Sequence, residues 1–262
     1  MSRCRPRRRC KIELMSKGHP RPPAGDYGRA LAAIWLGLIA GFVDALGYLL
    51  LTQVYTSHMT GNTASLARDV ADHRWFGVLR HGWPIAAFMI GLMIGAWLTE
   101  IGRRRRWHFR LSLVLGLELI LLAAMLVLPP VTPATLAWPV AIPALAMGMQ
   151  TVTITRVGDE RVYSTYVTGT LSKLAEALTG YLFWLHDRPA SLSPRARWRE
   201  AARHHLLWQA ILTGGLWLAF LVGAVLGAFG EARFGIDAVV APLAALAALI
   251  AVDLHRPITP AT

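Results

Sequence analysis

Apolar residues in this chain fall in long blocks, without the two-residue alternation of half-buried strands. Six blocks approach the roughly 20 residues that a helix needs to cross hydrocarbon. They occupy positions 30–50, 82–101, 111–128, 134–154, 206–229 and 236–252. Each is apolar on all faces, whereas the surface helices of a soluble domain keep one polar face. Pro129, Pro130 and Pro133 mark a short turn that makes the third and fourth blocks antiparallel neighbours. The pattern predicts an all-α integral membrane protein with about six transmembrane helices.

Composition agrees: 55% of the 262 residues are hydrophobic, 16% are charged, and the mean hydropathy is +0.43. Charge then orients the bundle. With the N-terminus inside, the arm at 1–29, the loop at 102–110, the segment at 155–205 and the C-terminal tail at 255–262 together carry 23 of the 27 Lys and Arg residues. The outward loops carry 4, so the bias places both termini in the cytoplasm. Reading "STYVTGTLSKLAEALTGYLFWLH" (164–186) as a seventh span would carry Arg195, Arg197, Arg199 and Arg203 outside, against that bias. The net charge of +12 is spent at the edges of apolar blocks, as in "GRRRRWHFR" (102–110), and no aromatic-interleaved basic motif points to nucleic acid. Residues 1–29 read as a disordered basic arm without the apolar core of a signal peptide, and Met15 is an alternative start within it. Cys4 and Cys10 both lie there, which leaves no disulfide framework and no metal constellation.

One polar stretch interrupts this simplicity, and it occurs twice. "VYTSHMTGNTASLA" (54–67) aligns without a gap on "VYSTYVTGTLSKLA" (162–175), with Val, Tyr, Thr, Gly, Leu and Ala identical. Upstream of each copy stands a glycine followed by a polar residue within a span, Asp44 in "GFVDA" and Gln150 in "GMQTV". Downstream of each is a G-x-x-x-G helix, Gly91/Gly95 and Gly223/Gly227, which permits close helix packing. The order of parts divides the bundle at 30–254 into two repeats, 30–128 and 134–252. Three spans per repeat, an odd number, require the halves to enter the membrane with opposite orientation, the inverted repeat found in many transporters. Each repeat then carries a short re-entrant or half-helix segment that starts at its T-G motif. Thr60 and Thr168 are expected as N-caps, with Gly61 and Gly169 permitting close approach and unusual dihedrals.

These residues resemble the YoaK family of bacterial inner-membrane proteins. The resemblance rests on G-x-x-D-A (Gly41, Asp44, Ala45), M-T-G-N (59–62), G-x-Q (148–150) and T-Y-x-T-G-T (165–170), and extends over about 30–252. The chain departs from the family pattern at Thr151, where Asn is expected after the Gln, and in its Arg-rich N-terminus. The resemblance implies a helical fold in the bacterial inner membrane and no established substrate.

Asp44 lies inside the first span, where a carboxylate costs at least about 2.5–3.5 kcal/mol and needs a partner or a proton. Thr60, Asn62, Gln150 and Thr170 are the candidate partners. Glu118 in the third span raises the same question, while Asp253 reads as solvated and Lys173 pairs with Glu176 along one helix face. His58 aligns with Tyr166, which points to a shared packing slot. The remaining histidines and Trp35, Trp83, Trp107, Trp138, Trp184 and Trp208 mostly flank the spans, as interface residues do. "RVGDERV" (156–162) reads as a solvated turn at the inner mouth. The expected site therefore comprises Asp44, Thr60, Gly61, Asn62, Gln150, Thr168, Gly169 and Thr170, binding a small polar or ionic solute in transit, with no cofactor or metal. A membrane sensor or assembly protein without transport is the second reading. No H-E-x-x-H, G-x-S-x-G or paired-aspartate motif supports an enzyme. The lipid bilayer is the expected partner, and a homo-oligomer is compatible with the sequence.

Overall fold

The computed structural model describes residues 24–51, 53–127, 137–157, 160–187 and 193–258. Nine α-helices are described: α1 Ala24–Leu50, α2 Met59–Ala71, α3 Trp75–Arg104, α4 Arg110–Ala124, α5 Ala137–Thr151, α6 Val167–His186, α7 Pro194–Ala201, α8 His205–Phe234 and α9 Val240–His255. A 3-10 turn at Gly235–Val239 joins α8 to α9, and a two-strand hairpin, β1 Arg156–Val157 with β2 Glu160–Arg161, sits between α5 and α6. The turn at Pro129–Pro133 lies outside the described residues, as do residues 1–23 of the basic arm.

Among the described residues, three stretches are long and apolar enough to cross a membrane: Tyr27–Leu50, Trp75–Arg104 and His205–His255. The last is 51 residues long, long enough to cross twice at 1.5 Å per residue. The third and fourth predicted spans appear as helices of 15 described residues each. Burial separates the long helices by role. The apolar window of α1 is 72% buried, whereas those of α3 and of the α8–α9 stretch are each 28% buried. Thus α1 is the central helix. Met89, Met93 and Trp97 on α3 and Leu218, Val222, Val225 and Phe229 on α8 stay exposed, as lipid-facing side chains would.

Two close helix pairs hold the bundle: α1 with α8, and α3 with α5. Both rest on glycines at which no side chain would fit. A Cβ on Gly41 would lie 2.0 Å from the Phe220 carbonyl oxygen, and one on Gly148 would lie 2.2 Å from that of Phe88. On the opposing helices, a Cβ on Gly223 would meet the Leu38 carbonyl at 1.9 Å and one on Gly91 the Leu145 carbonyl at 2.2 Å. Gly227 against Phe42 and Gly95 against Met149 continue the pattern one turn further. Backbones in direct contact gain dispersion and carbonyl contacts that larger residues would prevent. The same three contacts are thus made in each helix pair, and each pair joins one half of the chain to the other. Likewise α2 packs on α3 as α6 packs on α8, and α4 packs on α9.

The ends of these helices are fixed by polar contacts. His73 and Arg106 adopt positive φ after α2 and α3, and the next amides, Arg74 and Trp107, donate back to Asp69 and Gly102 at 2.8 Å each. This is the Schellman closure, made here without glycine. Asp253, expected in solvent, is 1% exposed. Its Oδ2 accepts from the Ser112 amide at 3.1 Å and hydroxyl at 2.5 Å, and its Oδ1 from the Ile258 amide at 2.9 Å. The first turn of α4 has amides without intrahelical partners, and a carboxylate from α9 satisfies one of them.

Candidate functional site

Both copies of the repeated motif are turns that lead into helices. In the first, Asp44 of α1 is 5% exposed and its Oδ1 accepts from Thr56 Oγ1 at 3.0 Å and the Ser57 amide at 2.7 Å. Asn62 closes the same turn from the helix side: its Oδ1 accepts from the Tyr55 amide at 3.1 Å, and its Nδ2 donates to the Tyr55 carbonyl at 2.7 Å. In the second copy, Thr151 and Thr165 hydroxyls lie 2.9 Å apart, and Thr170 Oγ1 donates to the Tyr166 carbonyl at 2.8 Å. The glycine contacts set the register between copies, so Asp44, three residues after Gly41, corresponds to Thr151, three residues after Gly148. The sequence pairing of Asp44 with Gln150 is therefore one residue out. Gln150 Nε2 donates instead to the Leu36 carbonyl at 2.6 Å and ties α5 to α1.

The helix caps also differ from expectation. α2 starts at Met59 and α6 at Val167, so the cap positions belong to His58 and Tyr166, neither of which makes a side-chain capping bond. Thr60 and Thr168 are the second residues of their helices. Gly61 and Gly169 are needed for approach, not for a positive φ. A Cβ would lie 2.6 Å from His58 Cδ2 in one copy and 1.7 Å from Tyr166 Cε1 in the other, because each cap ring folds over the glycine that follows it. The half-helix reading fits α2, with 13 residues; α6 continues to 20.

Between the two turns lies a cavity of about 470 Å³. Residues 57–60 line one side and 165–168 the other, which are corresponding positions of the two copies. Thr151, Tyr163 and, from the middle of α3, Phe88 and Leu92 complete the wall. Of the eight expected site residues, Thr60 and Thr168 line this cavity. Asp44, Asn62 and Thr170 hold its turns, Gly61 and Gly169 seat its rings, and Gln150 stands behind it. Sequence reasoning passed over His58, Tyr163 and Tyr166 as wall residues although the motif contains them; Phe88 and Leu92 carry no sequence signal at all. None of the described lining residues is a carboxylate. The amino ends of α2 and α6 both face the space, with the partial positive charge that unsatisfied amides give a helix start.

A second cavity of about 360 Å³ adjoins the first through Tyr163, which lines both. Its wall includes Thr99 and Glu100 of α3 and Arg156 and Arg161 of the hairpin. Within the "RVGDERV" segment, Arg156–Val157 pairs antiparallel with Glu160–Arg161, and Val157 is fully buried. Lys173 donates to the Arg161 carbonyl in place of the expected pair with Glu176. Two further buried acids, Asp69 and Glu118, also line neither cavity. Asp69 meets His81 Nδ1 at 2.8 Å and clamps α2 to α3. Glu118 occupies a core position in the stripe Leu111, Leu115, Leu122 and Met125, with neither carboxylate oxygen hydrogen-bonded.

Apolar helices exposed along their outer faces, with polar turns gathered around a shared open cavity, define a multi-pass helical membrane protein. The chain belongs to the family described as "Protein of unknown function (DUF1275)", whose pattern matches residues 32–252. It is 28% identical over 172 residues to the UPF0700 transmembrane protein YoaK of Bacillus subtilis (strain 168), a match covering 64% of this chain and 75% of that protein. No solved structure matches.

Proposed function

We propose that the chain moves a small polar or ionic solute across the bacterial inner membrane. In this reading, six spans form two inverted three-helix repeats with both termini cytoplasmic, and the cavity between the two T-G turns is the transit site. The observation that carries it is the convergence of residues 57–60 and 165–168, equivalent by sequence, on one cavity level with the middle of α3. Non-helical backbone persists at membrane depth only where protein buries it or water reaches it, and a cavity on a repeat interface meets that condition. The recurrence of the Gly41, Gly91 and Gly95 contacts as those of Gly148, Gly223 and Gly227 supports the two-fold relation.

A second reading, a membrane sensor or assembly protein, draws on Asp44 and Asn62, whose hydrogen bonds run to their own turn. Cysteine labelling separates the two. In a background with Cys4 and Cys10 replaced by Ser, Thr60→Cys and Thr168→Cys are treated with a membrane-impermeant thiol reagent from each face. Reaction at both positions is the transport outcome, since a transit site must meet water. Protection of both from both faces, in protein that still elutes as a folded species, would make the motif a sealed joint and favour the sensor reading.

A further inference from the structure

Arg156 and Arg161 are direct cross-strand partners in the hairpin, and both line the smaller cavity. Like charges directly opposite each other on paired strands are destabilising. Neither guanidinium has a hydrogen-bonding or ionic partner among the described residues. The one acid in that wall, Glu100, is already engaged: its carboxylate accepts from Arg103 Nε at 2.9 Å and Nη2 at 2.8 Å, and from Arg104 Nε at 2.7 Å. Among the described residues, the cavity thus carries two guanidinium groups without a paired acid. It shares Tyr163 with a larger space whose described wall holds no carboxylate and includes the starts of two helices.

From this arrangement we infer that Arg156 and Arg161 form an anion-binding vestibule and that the solute is a small oxyanion, a phosphate- or carboxylate-bearing molecule. The substrate class rests on the transport reading above; the vestibule stands without it. Guanidinium forks bind two oxygens of such a group in parallel, and one oxyanion between the pair cancels their repulsion. Asp44, which by sequence pointed to a cation, turns its Oδ1 to Thr56 and Ser57 and is absent from both cavity walls. Tyr163 lines both the vestibule and the central cavity.

The test uses the full chain in nanodiscs of zwitterionic lipid and measures binding of radiolabelled inorganic phosphate by equilibrium dialysis, with ionic strength held by chloride. Saturable binding is expected, about tenfold or more weaker in Arg156→Gln and in Arg161→Gln, with Arg156→Lys intermediate because it keeps charge but loses the fork. Arg105→Gln, outside the vestibule, reports on general surface charge and should bind as the parent does. Binding that does not saturate, or that persists in the double Gln variant with its folding verified by size exclusion, overturns the vestibule. A second arm adds phosphatidylglycerol to the discs. Loss of phosphate binding there would assign the arginines to a lipid headgroup and overturn the solute reading, while unchanged binding supports it. Because neither arm measures flux or labels Thr60, failure here leaves the central-cavity test independent.

Discussion

At the scale of single residues, the glycines give the sharpest contrast. Gly41→Ala and Gly148→Ala would each push a methyl group into a carbonyl of the opposing helix, at 2.0 and 2.2 Å. Each should lower thermal stability in detergent by about 1–3 kcal/mol, the usual cost of overpacking. Gly116→Ala has nothing within 4 Å of its new Cβ and should instead gain up to about 1 kcal/mol from reduced unfolded-chain entropy. Equal melting temperatures for all three would show that the close approaches do not carry the packing. Glu118 offers the opposite case. A buried carboxyl without a hydrogen-bond donor costs the fold, so Glu118→Leu should raise stability by roughly 1–3 kcal/mol in the same melts. A loss would reveal a partner for the acid. The sequence marked Glu118 as anomalous because a charge in an apolar block is visible by eye, but that it stands alone could be learned only from the packing of α4.

At the scale of elements, the ends of helices decide more than their middles. Asp253 anchors the first turn of α4 from the end of α9, so Asp253→Ala should cost about 1–3 kcal/mol by leaving the Ser112 amide and hydroxyl without their acceptor. The check is a thermal melt against Asp253→Asn, which keeps an acceptor oxygen and should lose less. Sequence placed Asp253 in solvent because it follows the last apolar block, and nothing local announces a contact with Ser112, 141 positions away. The helix starts of the two motifs were misjudged for a related reason. Thr before Gly is a good cap by propensity, but the caps fall two residues earlier, where rings meet edge to face: Tyr55 against His58, with centroids at 5.0 Å, and Tyr163 against Tyr166, at 6.4 Å. Propensity describes a helix in isolation, and tertiary contacts override it.

At the scale of the whole molecule, α3 runs 30 residues and its two flanking turns should lie on opposite faces of the membrane. Asp72→Cys and Arg105→Cys in intact cells test this: the first should react with an impermeant thiol reagent, the second only after the membrane is opened. Reaction of both in intact cells would refute the orientation drawn from the charge bias. That bias, the apolar blocks and the duplicated T-G motif were all legible in the sequence, because hydropathy, positive charge and internal similarity are written residue by residue. The membrane character and the family follow from them. What only the tertiary structure decided is which residues meet: that the two turns share a cavity, that Asp44 answers to Thr151, and that Arg156 and Arg161 face the same space. Those meetings depend on backbone approaches of a few ångströms between helices far apart in the sequence, and glycine permits such an approach without naming the partner.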